Sequence, residues 1–168
     1  MKLTDLFLEE LEREAASNRR VLERVPLDSP TWKPHEKSME LGYLAHLVAT
    51  MPSWIAMIVD QDEFDMRPAG APPQRPENAR NTQELLDALD ASVAKARESL
   101  SKTNEEHLMK NWRLLIAGNV VNDRPRYVVI QDAVFGHLAH HRGQLTVYLR
   151  LNEAKVPAIY GPSADEGM

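Results

Sequence analysis

The stretch GHLAHHRGQLTVYL, residues 136–149, holds three of the chain's 6 histidines. On a helix, His137 and His141 lie one turn apart along the axis and about 40° apart around it. Two imidazoles at that spacing can chelate a divalent metal, each through one ring nitrogen. The glutamate that accompanies such a pair in zinc proteases is missing, since Leu138, Ala139 and His140 stand between. The plainer alternative is packing. A histidine in a core must satisfy both ring nitrogens away from water. A shared ion would take the lone pairs and remove part of that cost, so spacing alone leaves both readings open.

A metal needs a third ligand, and His46 in LGYLAHLVAT is the natural candidate. On a helical wheel it leaves the Leu41, Leu44, Val48, Ile55 stripe and joins Tyr43, Thr50, Ser53 and Met57. That mixed face suits the lining of a cleft; it equally suits a satisfied polar residue near the surface. His140 falls about 60° to one side of the pair, and Arg142 points well away. Ile130, Ala133, Val134, Gln144, Tyr148 and Leu151 share the face of His137 and His141. Gln144 and Tyr148 are therefore candidates for supporting the ligands or touching a substrate, with packing the alternative. His35 and His107 sit among charges in expected loops and read as solvated. A di-iron centre would need Glu-x-x-His pairs, and the sequence has none.

Four helices must position these residues. Apolar periodicity places them at about 4–24, 39–60, 83–103 and 125–152. Ser38 and Thr82 are the expected N-caps of the second and third, and Asp123, with Pro125 in the first turn, opens the fourth. Pro52 should kink the second helix. Residues 61–81 carry Pro68, Pro72, Pro73 and Pro76 and no periodicity, which reads as a long loop. About 20 extended residues outreach a 20-residue helix, so this loop can cross the fold and leave helices two and three parallel. WRLLIAGNVVND is either a short hairpin turning near Gly118–Asn119 or irregular. The expectation is one all-α domain over 1–168, a four-helix bundle with a long crossover and an optional hairpin before helix four.

Composition narrows the function classes. The chain has 168 residues, 43% hydrophobic and 27% charged, within the range of a soluble globular domain. It has no cysteine, which excludes disulfides and thiolate metal sites and fits a reducing cytoplasm. A net charge of −5 without a basic cluster argues against nucleic acid. The N-terminal helix is acidic and amphipathic, unlike a signal peptide. No stretch is expected to approach the apolar length of a membrane span. The surplus apolar surface of helix two at Met51, Trp54, Met57 and Ile58 fits an interface, a substrate pocket or core.

HLAHHRGQLTVYLR closely resembles the last-helix signature of the DinB/YfiT-like family, typified by His-x-x-x-His-Arg-Gly-Gln. WKPHEKSMELGYLAHLVATMPSW resembles that family's passage into its second helix, and VPAIYGPSADE its C-terminal tail. The resemblance implies a divalent metal, zinc or nickel, held by His46, His137 and His141. It implies parallel second and third helices, and homodimers are common in the family. Members with known activity use the metal for thiol chemistry, as S-transferases or thiol-dependent isomerases, and others are similar to hydrolases. The expectation is a cytoplasmic, metal-dependent transferase or hydrolase acting on a small molecule, with a low-molecular-weight thiol as partner. The alternative is a non-catalytic, dimeric metal- or ligand-binding stress protein. No carboxylate is evidently placed to act as general base.

Overall fold

A computed structural model describes residues 2–70 and 78–167. The long helices are α1 (Leu3–Leu22), α4 (Thr82–Lys102) and α7 (His137–Leu151). Between α1 and α4 come α2 (Leu41–Thr50), a 3-10 turn (Met51–Ser53), α3 (Trp54–Asp60) and strand β1 (Glu63–Asp65). Helix α5 (Glu105–Met109), strands β2 (Asn111–Ile116) and β3 (Asn119–Pro125), helix α6 (Arg126–Val129) and a π-helical segment (Ile130–Gly136) lead into α7.

The helices form where apolar residues recur at helical spacing. In α1, Phe7, Leu11, Val21 and Leu22 are buried, and each such side chain stabilises by roughly 1.5–3 kcal/mol. In α4 the buried stripe is Leu85, Leu89, Val93, Ala96 and Leu100. Its N-cap is Asn81 rather than Thr82; the Asn81 side-chain oxygen accepts the Glu84 N–H at 2.9 Å. Glu40, not Ser38, precedes α2, and Pro125, not Asp123, precedes α6. The Pro52 kink is a 3-10 turn, because proline cannot donate to the α-helical ladder.

Polar pairs fix how the helices run. Arg97 meets Glu12 and Arg19 meets Asp90, so α1 and α4 are antiparallel. Ser92 Oγ donates to the Thr50 carbonyl at 2.9 Å, and Ser99 Oγ donates to Asp60 at 2.7 Å. Both numbers rise together, so α2–α3 runs parallel to α4. Arg142 on α7 reaches Glu14 of α1 at 2.6 Å and Asn18 at 2.9 Å. The tail closes over this joint: the Tyr160 hydroxyl donates to Glu14 at 3.0 Å, and Glu166 pairs with Arg20 and Arg24.

The all-α expectation is overturned. Strands β1, β2 and β3 form a three-stranded mixed sheet, so the chain is mixed α/β and not an all-α four-helix bundle. β2 and β3 pair antiparallel around Ala117 and Gly118, both at positive φ (52° and 78°). That backbone suits a two-residue hairpin turn. β1 adds in parallel to the other side of β2, with Phe64 opposite Leu114. It lies within residues 61–81, which read as loop; the remainder of that reading at 71–77 lies outside the described residues. Three residues carry too little periodicity to declare a strand, and β1 exists only through pairing with a distant segment. Asp65 locks the arrangement by accepting the backbone N–H groups of Arg67, Ala117 and Gly118 at 2.7–3.0 Å. These bonds, Arg67 first, hold its carboxyl below the usual value.

Helix four also departs from expectation. It is interrupted by π geometry before His137, and its buried positions there and beyond are Ile130, Val134, Phe135, Leu138, His141, Arg142, Leu145, Tyr148 and Leu149. Arg142, read as pointing well away from the inner face, is the buried residue; Leu151, read as inner, is 53% exposed. His137, His141, Arg142 and Leu151 all lie on the regular helix α7, so the error lies in the choice of inner face: the buried stripe is centred on Leu138, Arg142, Leu145 and Leu149, and the histidine pair sits at its edge.

Leu41–Asp60 corrects another reading. It is 20 residues long with a mean hydropathy of 1.4 in its most apolar stretch, enough by length and composition to cross a membrane. Here it is the central rod of the core, broken at Met51–Ser53 and packed against α4 and α7. Met51 and Ile58 are buried in that core.

Arg126 joins sheet to helices. Its side chain is 1% exposed and donates to the carbonyls of Ile58, Lys110, Asn111 and Gln61 at 2.8–3.3 Å. The ion pair with Asp62 adds little, because that carboxylate is 89% exposed. The buried carbonyls matter more, since each loses its donor if the guanidinium goes. Arg126→Met should cost about 3–5 kcal/mol, read as a lowered urea midpoint, and Arg126→Lys should recover only part of it.

Candidate metal centre and the cavity beside it

The pair expected from i, i+4 spacing is in contact. His137 Nε2 and His141 Nε2 are 2.8 Å apart. His141 Nδ1 is 2.8 Å from Gln144 Oε1, an acceptor, so Nδ1 carries the proton and Nε2 the lone pair. The Ala133 backbone favours the protonated form of the His137 ring. With His141 Nδ1 donating to Gln144, the 2.8 Å contact is satisfied when His137 Nε2 donates its proton to the His141 Nε2 lone pair. A cation taking both nitrogens would displace that proton.

This donor chemistry fits a metal ion at two positions. Two nitrogens bound tetrahedrally at about 2.05 Å are roughly 3.3 Å apart, so the rings would open by about half an ångström. The third expected ligand is not part of the contact. His46 lines the same cavity as His137, yet among the described residues no group of three or more His, Cys, Asp or Glu is arranged to hold a metal ion. Of the supporting candidates, Gln144 touches the His141 ring. Tyr148 does not: its hydroxyl donates to the Met39 carbonyl at 3.0 Å and its ring meets Trp32 edge-on. His140 is exposed, with its ring centroid 5.2 Å from that of His141.

His107, read as solvated, is half-buried, and its Nε2 lies 2.8 Å from the Val59 carbonyl in the last turn of α3. It satisfies a carbonyl that the helix end leaves free. That partner comes from a distant segment, which no local pattern reveals. His35 is exposed, and its Nδ1 accepts the Lys37 N–H.

A cavity of about 970 Å³ opens beside His137. Helices supply Tyr43, His46, Thr50, Trp54 and Met57; the strands supply Trp112 and Leu114 from β2 and Phe64 from β1. Trp54 packs on the His137 ring with centroids 5.8 Å apart. Trp54 and Met57, left undecided between interface, pocket and core, therefore line a pocket. The strand-borne wall escaped the sequence reading, although Trp112 and Leu114 show the period of two that sends alternate residues to one face.

These features define a small protein with a helical core that presents His137, one of a contacting histidine pair, to a cavity walled partly by strands. The sequence profile of the DinB family matches residues 1–167, and the chain belongs to that family. It is 26% identical over 163 residues to the uncharacterized protein YrdA of Bacillus subtilis strain 168, covering 96% of this chain and 90% of YrdA. A crystal structure of a DinB-like protein from Bacillus cereus ATCC 10987 superposes with a TM-score of 0.69 at 20% identity, covering 92% of this chain and 95% of the other. For the DinB-like protein YjoA of Bacillus subtilis the TM-score is 0.64 at 18% identity, covering 89% and 94%. At these identities the structural likeness establishes the fold.

Burial, and then the neighbouring His141, lower the His137 pKa below 6.5; the bond to Ala133 opposes them and His140 adds to them. A lowered folded value means that the unfolded chain takes the proton first as pH falls. The stability contributed by neutral His137 is present above about pH 6.5 and is lost as pH drops through the folded value. In metal-free protein, an NMR titration should place the His137 midpoint below the ordinary imidazole value of about 6.5. The urea midpoint should fall from about pH 7 to about pH 5, less steeply in His137→Gln.

Proposed function

We propose that this chain is a metal-dependent enzyme in which His46, His137 and His141 hold one divalent ion, zinc or nickel, and which acts on a small molecule. The reaction class is thiol-dependent S-transfer, with hydrolysis the second choice. The observation that carries this reading is the pair of Nε2 atoms 2.8 Å apart, with the His141 ring braced by Gln144 through Nδ1, at the edge of a cavity large enough for a substrate. Family membership over nearly the whole chain supports it.

Three imidazoles leave a coordination position open, as catalytic sites do. When bound, the ion would act as a Lewis acid, lowering the pKa of a thiol or water and raising the nucleophile available at neutral pH. The chain's own residues prepare the setting. Gln144 holds the His141 ring with its Nε2 turned to His137, which would present that nitrogen to the ion. Trp54 holds the His137 ring against the cavity wall. His46 must move towards the pair, and among the described residues its ring makes no hydrogen bond that would resist this. No Asp or Glu lines the cavity among the described residues, so no protein carboxylate is assigned as general base. A thiol activated by the ion itself needs none, which favours S-transfer over hydrolysis.

Protein purified without chelators or a histidine tag should contain about one divalent ion per chain by elemental analysis. It should consume an electrophile such as monochlorobimane only when a low-molecular-weight thiol is present. His137→Ala should lose both the ion and turnover; turnover that survives loss of the ion would refute the proposal. Gln144→Leu should keep the fold and weaken metal affinity about 10–100-fold, measured by competition with a chromogenic chelator.

A further inference from the structure

We infer that the cavity beside His137 selects an uncharged, largely apolar, ring-bearing molecule, and that β1 and β2 rather than the histidine helix set this selection. The inference rests on the proposed enzyme only for what becomes of the molecule. Its binding needs no metal.

The cavity's chemistry decides the ligand class. About 970 Å³ lies at the upper end of the range for small-molecule sites. Among the described residues lining it there is no Asp, Glu, Lys or Arg. In the metal-free protein a charged ligand buried there would lose its hydration with no countercharge among these residues to replace it. Flat rings meet matching surfaces in Trp54, Trp112 and Phe64, and aromatic contacts add to simple burial. The indole nitrogen of Trp112, buried in the same wall, has no acceptor among the described residues.

The strands control entry. Phe64 and Met66 line the cavity and are also 39% and 58% exposed, which places them at its mouth. Leu114 stands opposite Phe64 in the parallel β1–β2 pair, so the two strands present one continuous apolar edge. β1 is held to the hairpin turn by the Asp65 carboxylate, which fixes the mouth's position.

The test compares methyl 1-naphthoate with 1-naphthoate on full-length, chelator-treated protein. The two probes share a ring system and differ in charge. Binding is followed by tryptophan fluorescence, since Trp54 and Trp112 lie in the wall, and by calorimetry. The ester should bind about tenfold or more tightly than the acid. Leu114→Asp should weaken the ester about tenfold. Met66→Lys changes an exposed residue, so folding is kept, and it should narrow the preference by favouring the acid. Equal affinities, a preference for the acid, no ester binding, or ester binding indifferent to both substitutions would overturn the inference. Because metal is absent throughout, failure of the metal-dependent reaction leaves this result standing, and failure here leaves the metal and turnover assays unaffected.

Discussion

The buried contact between Arg142 and Glu14 sets the orientation on which the candidate centre depends. The guanidinium is 1% exposed and the carboxylate 10%. A charge so placed is costly unless each donor finds an acceptor, and Glu14, Asn18 and Tyr160 supply them. Arg142 follows His141 directly. Once Arg142 is committed to α1, helical geometry turns His141 about 100° to one side, and His137 with it. The tail adds a second restraint, because the Tyr160 ring lies over the guanidinium with 5.1 Å to its centroid. The VPAIYGPSADE segment is therefore a strap that keeps the histidine helix in its rotation.

Arg126 does for the sheet what Arg142 does for the helix. It gathers carbonyls from the end of α3 and the start of β2 around one planar group. The cavity follows from both. One wall is the histidine-bearing side of the core, fixed by Arg142; the other is the strand wall, fixed by Arg126. Neither arginine touches the space between, and a substitution at either would act on the cavity through its walls.

The histidine pair was legible because i, i+4 spacing is a local property of a helix and survives whatever precedes it. The kink at Pro52 was legible for the same reason: proline acts on its own backbone. The family could be read from residues 137–150 because they combine the chelating pair with the Arg-Gly-Gln that follows. What escaped was set by partners far along the chain. β1 exists through β2, His107 is held by Val59, and Arg126 is explained by four carbonyls from two other elements. The helical wheel placed Ile130, Val134, His141 and Tyr148 inside correctly and erred at Arg142 and Leu151, because it centred the inner face on the histidine pair when α7 buries the side that carries Arg142. His46 stands between these cases: its side of α2 was readable, but its distance from the pair is a matter of how two helices pack.

The π segment Ile130–Gly136 has a mechanical consequence for the residues that follow. Seven residues wound more widely than α-helix precede His137. Regular α-helical turns therefore do not carry the rotation of α6 through to the imidazoles. Their direction is set from the other end, where α7 is anchored to α1 and strapped by the tail.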